Sequence, residues 1–215
     1  MRNDGGHDGR HDSRLDGLLR TTRLVRRGES LFRARDPFQS VYTVEAGSFK
    51  TVTVHRCGRE QVTGFHVAGE ALGLDGICAG YHDFDTVALE DSRVCVIPFA
   101  RLEGLCAEVR PLQQHLHRVM SAEIVRHAKL AMLLATMTAE QRIATFLLSL
   151  SERLDQRGMS PTEFSLRMTR EEIGSYLGLT LETVSRTLSK FRRRRLVDAH
   201  GKRIRLLDLD ALKCV

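Results

Sequence analysis

The chain has 215 residues, of which 42% are hydrophobic and 28% charged, and its formal net charge is +6. This length accommodates one large or two modest globular domains. No apolar run approaches the ~20 residues of a membrane-spanning helix. The five cysteines lie at scattered spacings that do not form a disulfide framework. We therefore expect a cytoplasmic protein with no membrane partner.

Residues 1–17 are predicted to form a disordered tail, because they are rich in Gly, Asp, His and Arg and offer almost nothing to bury. They contain no apolar stretch of the kind that marks a secretory signal. His7 and His11 have the spacing of a helical metal-binding pair, but the neighbouring glycines oppose a helix. We expect no metal site there.

Residues 18–109 have the pattern of a β-sandwich or jelly roll. Short segments rich in β-branched and aromatic residues alternate with glycine turns. The predicted strands cover residues 41–44, 49–55, 61–65, 86–89 and 94–97. Such a roll can enclose a small ligand, but the fold alone does not show that it does.

Residues 110–136 are predicted to form one long helix. Pro111 suits its first turn. Apolar residues then recur every three to five positions as a single stripe, which includes Leu112, Leu116, Val119, Met120, Ile124, Ala131 and Leu134. A stripe of this length needs a second surface to cover it. That surface is either the chain's own roll or the same helix of a second subunit.

Residues 137–215 have the pattern of a winged helix-turn-helix. Thr138 and Gln141 form a capping box for a helix that runs to about residue 156. Residues 163–168 alternate as a strand. Residues 196–207 form a hairpin around Gly201.

The helix-turn-helix itself occupies residues 168–191, with the sequence MTREEIGSYLGLTLETVSRTLSKF. Thr169 and Glu172 form a second capping box, and Gly178 supplies the left-handed residue that ends the first helix. Thr180 is the N-cap of the second helix, which buries Val184, Leu188 and Phe191. The second helix of such a motif usually enters the major groove of DNA.

Three polar residues share the exposed face of the second helix. Glu182, Ser185 and Arg186 lie at positions i, i+3 and i+4. Arginine can donate two hydrogen bonds to guanine, glutamate can accept one from cytosine, and serine can do either. The competing interpretation is a solvated face with a local ion pair between Glu182 and Arg186.

A local excess of positive charge favours DNA. Residues 185–205 contain nine Lys or Arg residues and one Asp, a net charge of +8. We predict double-stranded DNA as the partner. The candidate DNA-binding residues are Thr169, Thr180, Glu182, Thr183, Ser185, Arg186, Lys190, Arg193 and Lys202.

This helix-turn-helix resembles that of the CRP/FNR family, and the E-x-x-S-R pattern at Glu182, Ser185 and Arg186 resembles its FNR-type branch. The segments RRGESLF, VYTVEAGSFKTVTV, EQVTGFHVAGEALGLDG and VCVIPF are similar to the family's β-roll. The resemblance implies a homodimer through residues 110–136 and a palindromic, TTGAT-like site. It also implies an activator that contacts RNA polymerase through surface loops such as residues 73–82.

The resemblance does not identify a signal. Cyclic-nucleotide-binding relatives carry a Gly-Glu pair followed by an Arg-Ser pair that holds the phosphate. Gly69 and Glu70 match the first pair, but Asp85 and Thr86 fall near the second. A carboxylate aimed at a phosphate would repel it, so we expect no cyclic AMP.

Redox and haem sensing are weaker alternatives. FNR-type oxygen sensors hold an iron–sulfur cluster on an N-terminal cysteine group and one later cysteine. Cys95 matches the later one, but no cysteine precedes Cys57. Cys57, beside two arginines, is a candidate redox thiol. His55, His66 and His82 are candidate haem ligands. We predict no cofactor.

We therefore predict an α+β fold with an N-terminal antiparallel β-roll, a long dimerisation helix and a C-terminal winged helix-turn-helix. The predicted function is sequence-specific transcription regulation. The signal is one of the sensing alternatives above or none, in which case activity follows abundance. No nucleophile–base pattern, H-E-x-x-H or P-loop occurs in the chain, so we predict no enzymatic activity.

Overall fold

The computed structural model describes residues 21–55 and 58–215. The predicted tail of residues 1–17, with His7 and His11, lies outside the described residues, and so does Cys57. Among the helices of the described ranges, none has the length and apolar character needed to cross a lipid bilayer.

The first part of the described chain is an antiparallel β-roll. Its strands are β1 (Thr21–Val25), β2 (Ser30–Phe32), β3 (Ser40–Ala46), β4 (Ser48–Val54), β5 (Glu60–Val67), β6 (Ala71–Leu72), β7 (Asp85–Ala88) and β8 (Ser92–Pro98). They form two four-stranded sheets with the orders β1-β8-β3-β6 and β2-β7-β4-β5. The five predicted strands are confirmed. β1, β2 and β6 were not among them. β2 and β6 have only three and two residues, and β1 shows no alternation because four of its five residues are exposed.

The chain's own side chains fill the interior of the roll. A core cluster joins both sheets and consists of Val25, Leu31, Phe32, Val44, Phe49, Leu72, Ala88 and Val94. The buried ring of His82 stacks on Phe32 with 3.8 Å between ring centroids. Aromatic and aliphatic packing of this kind stabilises the roll.

Three helices follow or interrupt the roll: α1 (Gly76–Ala79), α2 (Phe99–Glu108) and α3 (Arg110–Thr136). The sequence pattern did not reveal α2, which packs Leu102 and Cys106 against Val41. The bounds of α3 are those of the predicted long helix. The second half of its apolar stripe is uncovered within one chain, since Ile124 is 69% exposed and Leu134 is 37% exposed. Leu112 and Leu116, in the first half, pack against the core around Leu102.

The C-terminal domain is a winged helix-turn-helix. It contains α4 (Ala139–Asp155), β9 (Glu163–Ser165), α5 (Arg170–Leu177), α6 (Leu181–Arg193), β10 (Val197–His200), β11 (Arg203–Leu206) and α7 (Leu209–Lys213). The small sheet has the order β10-β11-β9. β9 is shorter than predicted, because Leu166 and Met168 leave the sheet edge and join the core around Ile173.

The roll and the C-terminal domain share a core, which the sequence did not predict. Phe65 of β5 lies 6.0 Å from Phe146 of α4 and 5.2 Å from Tyr176 of α5, measured between ring centroids. Phe146 and Tyr176 are themselves 6.0 Å apart. These edge-on contacts join three elements in one aromatic cluster. The roll therefore packs directly against the first helix of the helix-turn-helix.

Candidate nucleic-acid interface

Local capping sets the ends of α5 and the start of α6. Thr169 Oγ1 accepts a hydrogen bond from the Glu172 amide at 3.1 Å, and the Glu172 carboxylate accepts one from the Thr169 amide at 2.7 Å. Gly178 ends α5 with φ 64°. Thr180 Oγ1 then accepts a hydrogen bond from the Thr183 amide at 3.2 Å. The predicted helix-turn-helix is confirmed at each of these points.

Gly174 allows the tight turn between α5 and α6. A Cβ atom at this position would lie 2.6 Å from the carbonyl oxygen of Leu179. The Leu179 amide donates a hydrogen bond to the Gly174 carbonyl at 2.9 Å, which holds the turn against the helix. A larger residue at this position would force the turn away from the helix and change the angle at which α6 is presented.

The outer face of α6 carries the three predicted base-reading residues. Glu182 and Arg186 are exposed and Ser185 is half-buried, whereas Val184 and Leu188 face the core. The structure therefore brings the three polar side chains together on one projecting surface. An α-helix of this kind fits the width of the major groove.

The Glu182 carboxyl is kept ionised by its own helix terminus. Its pKa is lowered by a hydrogen bond from its own backbone amide and by one from the Thr180 hydroxyl. Arg186 is not among the groups that lower it. In the described structure the Glu182 carboxylate is thus held at the start of α6.

Arginines surround the C-terminal end of α6. Arg192, Arg193, Arg194 and Arg195 are all exposed, and Lys202 is exposed at the tip of the β10–β11 hairpin. Cations at a helix C-terminus also suit the helix dipole, so part of this charge has a local role. The clustering nevertheless gives this side of the domain a strongly positive surface.

Lys190 departs from this arrangement. Its ammonium group pairs with the Glu140 carboxylate of α4. The two side chains are 45% and 33% exposed, so the pair contributes little to stability. A phosphate contact by Lys190 therefore requires that this ion pair first open.

Arg170 belongs to the same surface, although the sequence reasoning did not select it. Its guanidinium donates a hydrogen bond to the Gly201 carbonyl at 3.1 Å, which joins the start of α5 to the hairpin tip beside Lys202. Burial lowers the pKa of Arg170. A recess of about 170 Å³ lies here, lined by Arg170, Ser185, Leu188, Ser189, Arg192 and Ala199. The sequence signal that could have identified Arg170 is its position at the N-terminus of α5, because helix N-termini bind anions such as phosphate.

The residues of the roll do not fit a cyclic nucleotide. The Glu70 carboxylate is occupied by arginines of the chain, including Arg153 at 2.6 Å. Asp85 accepts a hydrogen bond from the Ala34 amide at 2.6 Å, and its neighbour Thr86 is fully buried. A phosphate at this place would meet the Asp85 carboxylate, which would repel it.

The described cysteines lie in separate elements: Cys78 in α1, Cys95 in β8, Cys106 in α2 and Cys214 after α7. Cys95 and Cys106 are buried, whereas Cys78 and Cys214 are exposed. No group of three or more His, Cys, Asp or Glu side chains within residues 21–55 and 58–215 has the geometry to hold a metal ion. This distribution does not fit a four-thiolate cluster.

The three candidate haem ligands are also dispersed. His66 is buried between charged side chains, with Arg126 3.4 Å from its Nδ1. His82 is buried in the aromatic stack and lies 3.4 Å from Asp75. His55 is exposed at the end of β4. They share no pocket that the described structure reveals.

Comparisons with known proteins agree with this architecture. Residues 22–109 match the cyclic nucleotide-binding domain family, and residues 141–215 match the Crp-like helix-turn-helix domain family. The chain is 46% identical to the transcriptional regulatory protein btr of Bordetella pertussis over 93% of this chain and 83% of the relative. It is 42% identical to the fumarate and nitrate reduction regulatory protein of Salmonella typhimurium over 92% and 79%.

Among solved structures, FixK2 from Bradyrhizobium japonicum superimposes with a TM-score of 0.82 at 30% identity and covers 91% of this chain and 96% of its own. The similarity thus extends through the roll, the long helix and the winged domain. The chain belongs to the CRP/FNR family of transcriptional regulators, whose members bind DNA through this helix-turn-helix.

Proposed function

We propose that two copies of the chain read a palindromic, TTGAT-like DNA site in the manner of the FNR-type branch. The observation that carries this proposal is the outer face of α6, where exposed Glu182 and Arg186 flank half-buried Ser185 beside a surface of arginines. Arg186 would donate two hydrogen bonds to a guanine, and Glu182 would accept one from a cytosine amino group. Ser185 completes the readout, and Thr169, Thr180, Thr183, Arg193 and Lys202 contact the flanking backbone.

The dimer in this proposal forms through α3. The helix exposes apolar side chains that one chain leaves uncovered, among them Ile124, Val125 and Met132. Pairing two such helices about a two-fold axis would bury them and place two α6 helices about one turn of DNA, ~34–36 Å, apart. Light scattering should show a dimer, and Ile124→Glu should yield a monomer. Lys129→Glu, on the polar flank of α3, is the control and should stay dimeric.

We further propose that the protein works without a cofactor, so that its activity follows its abundance. The occupied Glu70, the acidic Asp85 and the lack of a cysteine before Cys57 support this. Anaerobically purified protein should be colourless and should bind its palindrome without cyclic AMP. A haem Soret band, or a brown sample with bound iron, would instead establish the redox- or haem-sensing alternative. No enzymatic activity is proposed.

Transcription activation in the cytoplasm completes the proposal, with residues 73–82 as the RNA polymerase contact. The tip of this loop, Cys78 to Gly80, is exposed. Asp75 fixes the loop by accepting a hydrogen bond from the Asp83 amide at 2.8 Å. An Ala79→Arg variant should bind DNA normally and fail to activate transcription in a purified system. Normal activation would exclude this contact.

Fluorescence anisotropy on the full chain tests the DNA-binding proposal. A duplex with two inverted TTGAT half-sites should bind roughly 1000-fold or more tightly than a scrambled duplex at the same salt concentration. Arg186→Ala should cost about 1–3 kcal/mol on the palindrome and relax discrimination at one base pair. Arg33→Ala, on the exposed surface of the roll, is the control and should change neither value. Equal losses for Arg186→Ala on palindrome and scrambled DNA would contradict base reading.

A further inference from the structure

A buried carboxylate joins the roll to both helices that support the winged domain. The Glu70 side chain is 6% exposed and follows β5. It accepts hydrogen bonds from Arg153 Nε and Nη2 at 2.8 and 2.6 Å, and one from Arg157 Nη2 at 3.1 Å. Arg126 of α3 lies 3.6 Å away. One residue of the roll thus contacts α3 and the C-terminal end of α4.

The backbone around Glu70 is shaped to receive these arginines. The Glu70 carboxylate also accepts a hydrogen bond from the Val67 amide at 3.0 Å, which fixes its rotamer. Gly69 has φ 85°, and a Cβ atom there would lie 3.0 Å from Arg157 Nε. The turn therefore needs glycine both for its conformation and for the room that Arg157 occupies. Arg153 adds a 2.6 Å hydrogen bond to the Phe65 carbonyl.

The buried Glu70 carboxylate is stable in its ionised form only while its arginine partners are in place. Burial alone raises the pKa of Glu70, but the hydrogen bonds and charge of Arg153 outweigh it and bring the value to about 2. A carboxylate this deep is costly to leave unpaired. Any rotation of the winged domain that separates Arg153 from Glu70 is therefore strongly resisted.

A second set of polar contacts joins the roll to α5. Lys50 of β4 pairs with the Glu172 carboxylate of α5 at 2.8 Å, and the Val62 amide donates to Ser175 Oγ at 2.9 Å. The aromatic cluster of Phe65, Phe146 and Tyr176 adjoins both sets, since the Phe65 carbonyl accepts from Arg153 and Tyr176 follows Ser175 in α5. Polar contacts at several points around an apolar contact fix the orientation of the winged domain as well as its distance from the roll.

We propose that Glu70 is a positioning residue that sets the spacing between half-sites which the dimer accepts. By tying Arg126 of α3 to Arg153 and Arg157 of α4, it holds each winged domain at one angle to the dimerisation helix. The angle then determines the separation of the two α6 helices, with no ligand required. This inference rests on the proposed reading of a palindrome by a dimer.

The consequence is a strict dependence on spacing. If the two α6 helices are held rigidly, they can bind both half-sites only when the half-sites have the matching separation. If the helices are held loosely, they can bind half-sites at several separations. We expect wild-type protein to bind the best-spaced palindrome about 10-fold or more tightly than palindromes with two base pairs added or removed. Glu70→Gln keeps the side chain's shape and its acceptor for the Val67 amide but removes the charge. In the Glu70→Gln variant, the preference for the best-spaced palindrome over the altered palindromes should fall to about 3-fold or less.

The experiment measures Kd by anisotropy for wild-type protein, Glu70→Gln, Arg157→Gln and Glu90→Gln on palindromes of five spacings and on a single half-site. Glu90→Gln is the matched control, because Glu90 also joins the roll to the winged domain, through Arg167 at 3.0 Å, but its side chain is 27% exposed, compared with 6% for Glu70. It should keep the wild-type spacing ratio. Arg157→Gln removes one of three partners and should give an intermediate ratio, which provides the test if Glu70→Gln does not fold.

The outcomes are distinct. An unchanged spacing ratio in folded Glu70→Gln or in Arg157→Gln overturns the inference, and so does an equal loss on every probe including the half-site. Wild-type protein that binds a half-site as tightly as a palindrome overturns the proposed function itself. Loss of spacing discrimination with retained half-site affinity establishes the positioning role.

Discussion

The backbone amide of Val62, on an edge strand of the roll, donates a 2.9 Å hydrogen bond to the hydroxyl of Ser175 in the first helix of the helix-turn-helix. An edge strand normally presents its amides to solvent or to another chain. Here the sensor-like domain uses one to contact the DNA-binding domain directly. The Gln61 side chain reinforces the contact by donating to the Ser175 carbonyl.

Loss of this hydrogen bond should weaken the attachment of the winged domain. Ser175→Ala leaves the Val62 amide without its acceptor, and we expect the free energy of unfolding to fall by about 1 kcal/mol. Urea denaturation followed by circular dichroism measures the change. Ser165→Ala, at an exposed position of β9, is the control and should shift stability by less than about 0.5 kcal/mol. If both substitutions changed the free energy of unfolding equally, the hydrogen bond between Val62 and Ser175 would not contribute to stability.

Arg193 should act on DNA through phosphate alone. It is exposed in the last turn of α6, away from the positions of Glu182 and Arg186. We expect Arg193→Ala to weaken binding to palindromic and scrambled DNA alike and to reduce the slope of log K against log salt by about 1. Kd values at five salt concentrations give the slope. An unchanged slope would exclude the phosphate contact.

Arg195 occupies a backbone conformation that glycine usually takes. Its φ is 55°, directly after the helix, and the following amide of Leu196 donates back to the Phe191 carbonyl at 3.0 Å. A side chain in this left-handed region costs about 1 kcal/mol relative to glycine. We expect Arg195→Gly to raise the free energy of unfolding by roughly that amount and to lower affinity for all DNA sequences.

Arg194 is the matched control, because its φ of −80° suits any residue. Arg194→Gly should lower stability slightly, since glycine gains freedom in the unfolded chain. It removes one positive charge, as Arg195→Gly does. If Arg195→Gly is no more stable than Arg194→Gly, the left-handed conformation of Arg195 does not destabilise the protein.

His66 should make the fold sensitive to mild acid. Burial and the nearby Arg126 lower its pKa from 6.5 to about 3, although Glu70 partly opposes them. Between these values the unfolded chain binds a proton that the folded chain excludes. The contribution to stability is therefore present above pH 6.5 and is lost as the pH falls towards 3, by up to about 1.4 kcal/mol per pH unit.

The window between pH 6.5 and 4.5 isolates His66, because the lowered pKa of Glu70 affects stability only below the ordinary glutamate value of 4.5. Urea denaturation at five pH values in this window gives the slope. We expect His66→Gln to flatten it by about one proton. If stability depended on pH equally in the variant and in the wild-type protein, His66 would accept a proton in the folded state, contrary to its burial.

The sequence by itself determined the local structure of the DNA-reading element. The capping boxes at Thr169 and Thr138, the left-handed Gly178 and the apolar spacing of α6 depend on residues within a few positions of one another. Such interactions form wherever the segment folds, so pattern and residue type suffice to predict them. The five main strands, the bounds of α3 and the basic surface followed from the same kind of signal.

Tertiary structure alone decided how these elements are joined. Glu70 and Arg153 are 83 residues apart in the chain, and Val62 and Ser175 are 113 apart. No periodicity encodes such pairs, because their proximity depends on the packing of the roll against α4 and α5. In the sequence, Glu70 matched half of a nucleotide-binding pattern, Lys190 was a candidate DNA contact and Arg170 was not selected. Their partners place Glu70 in an interdomain cluster, Arg170 against the wing and Lys190 against α4. Only the tertiary structure buries Glu70, and a buried charge requires fixed partners because it has lost its water.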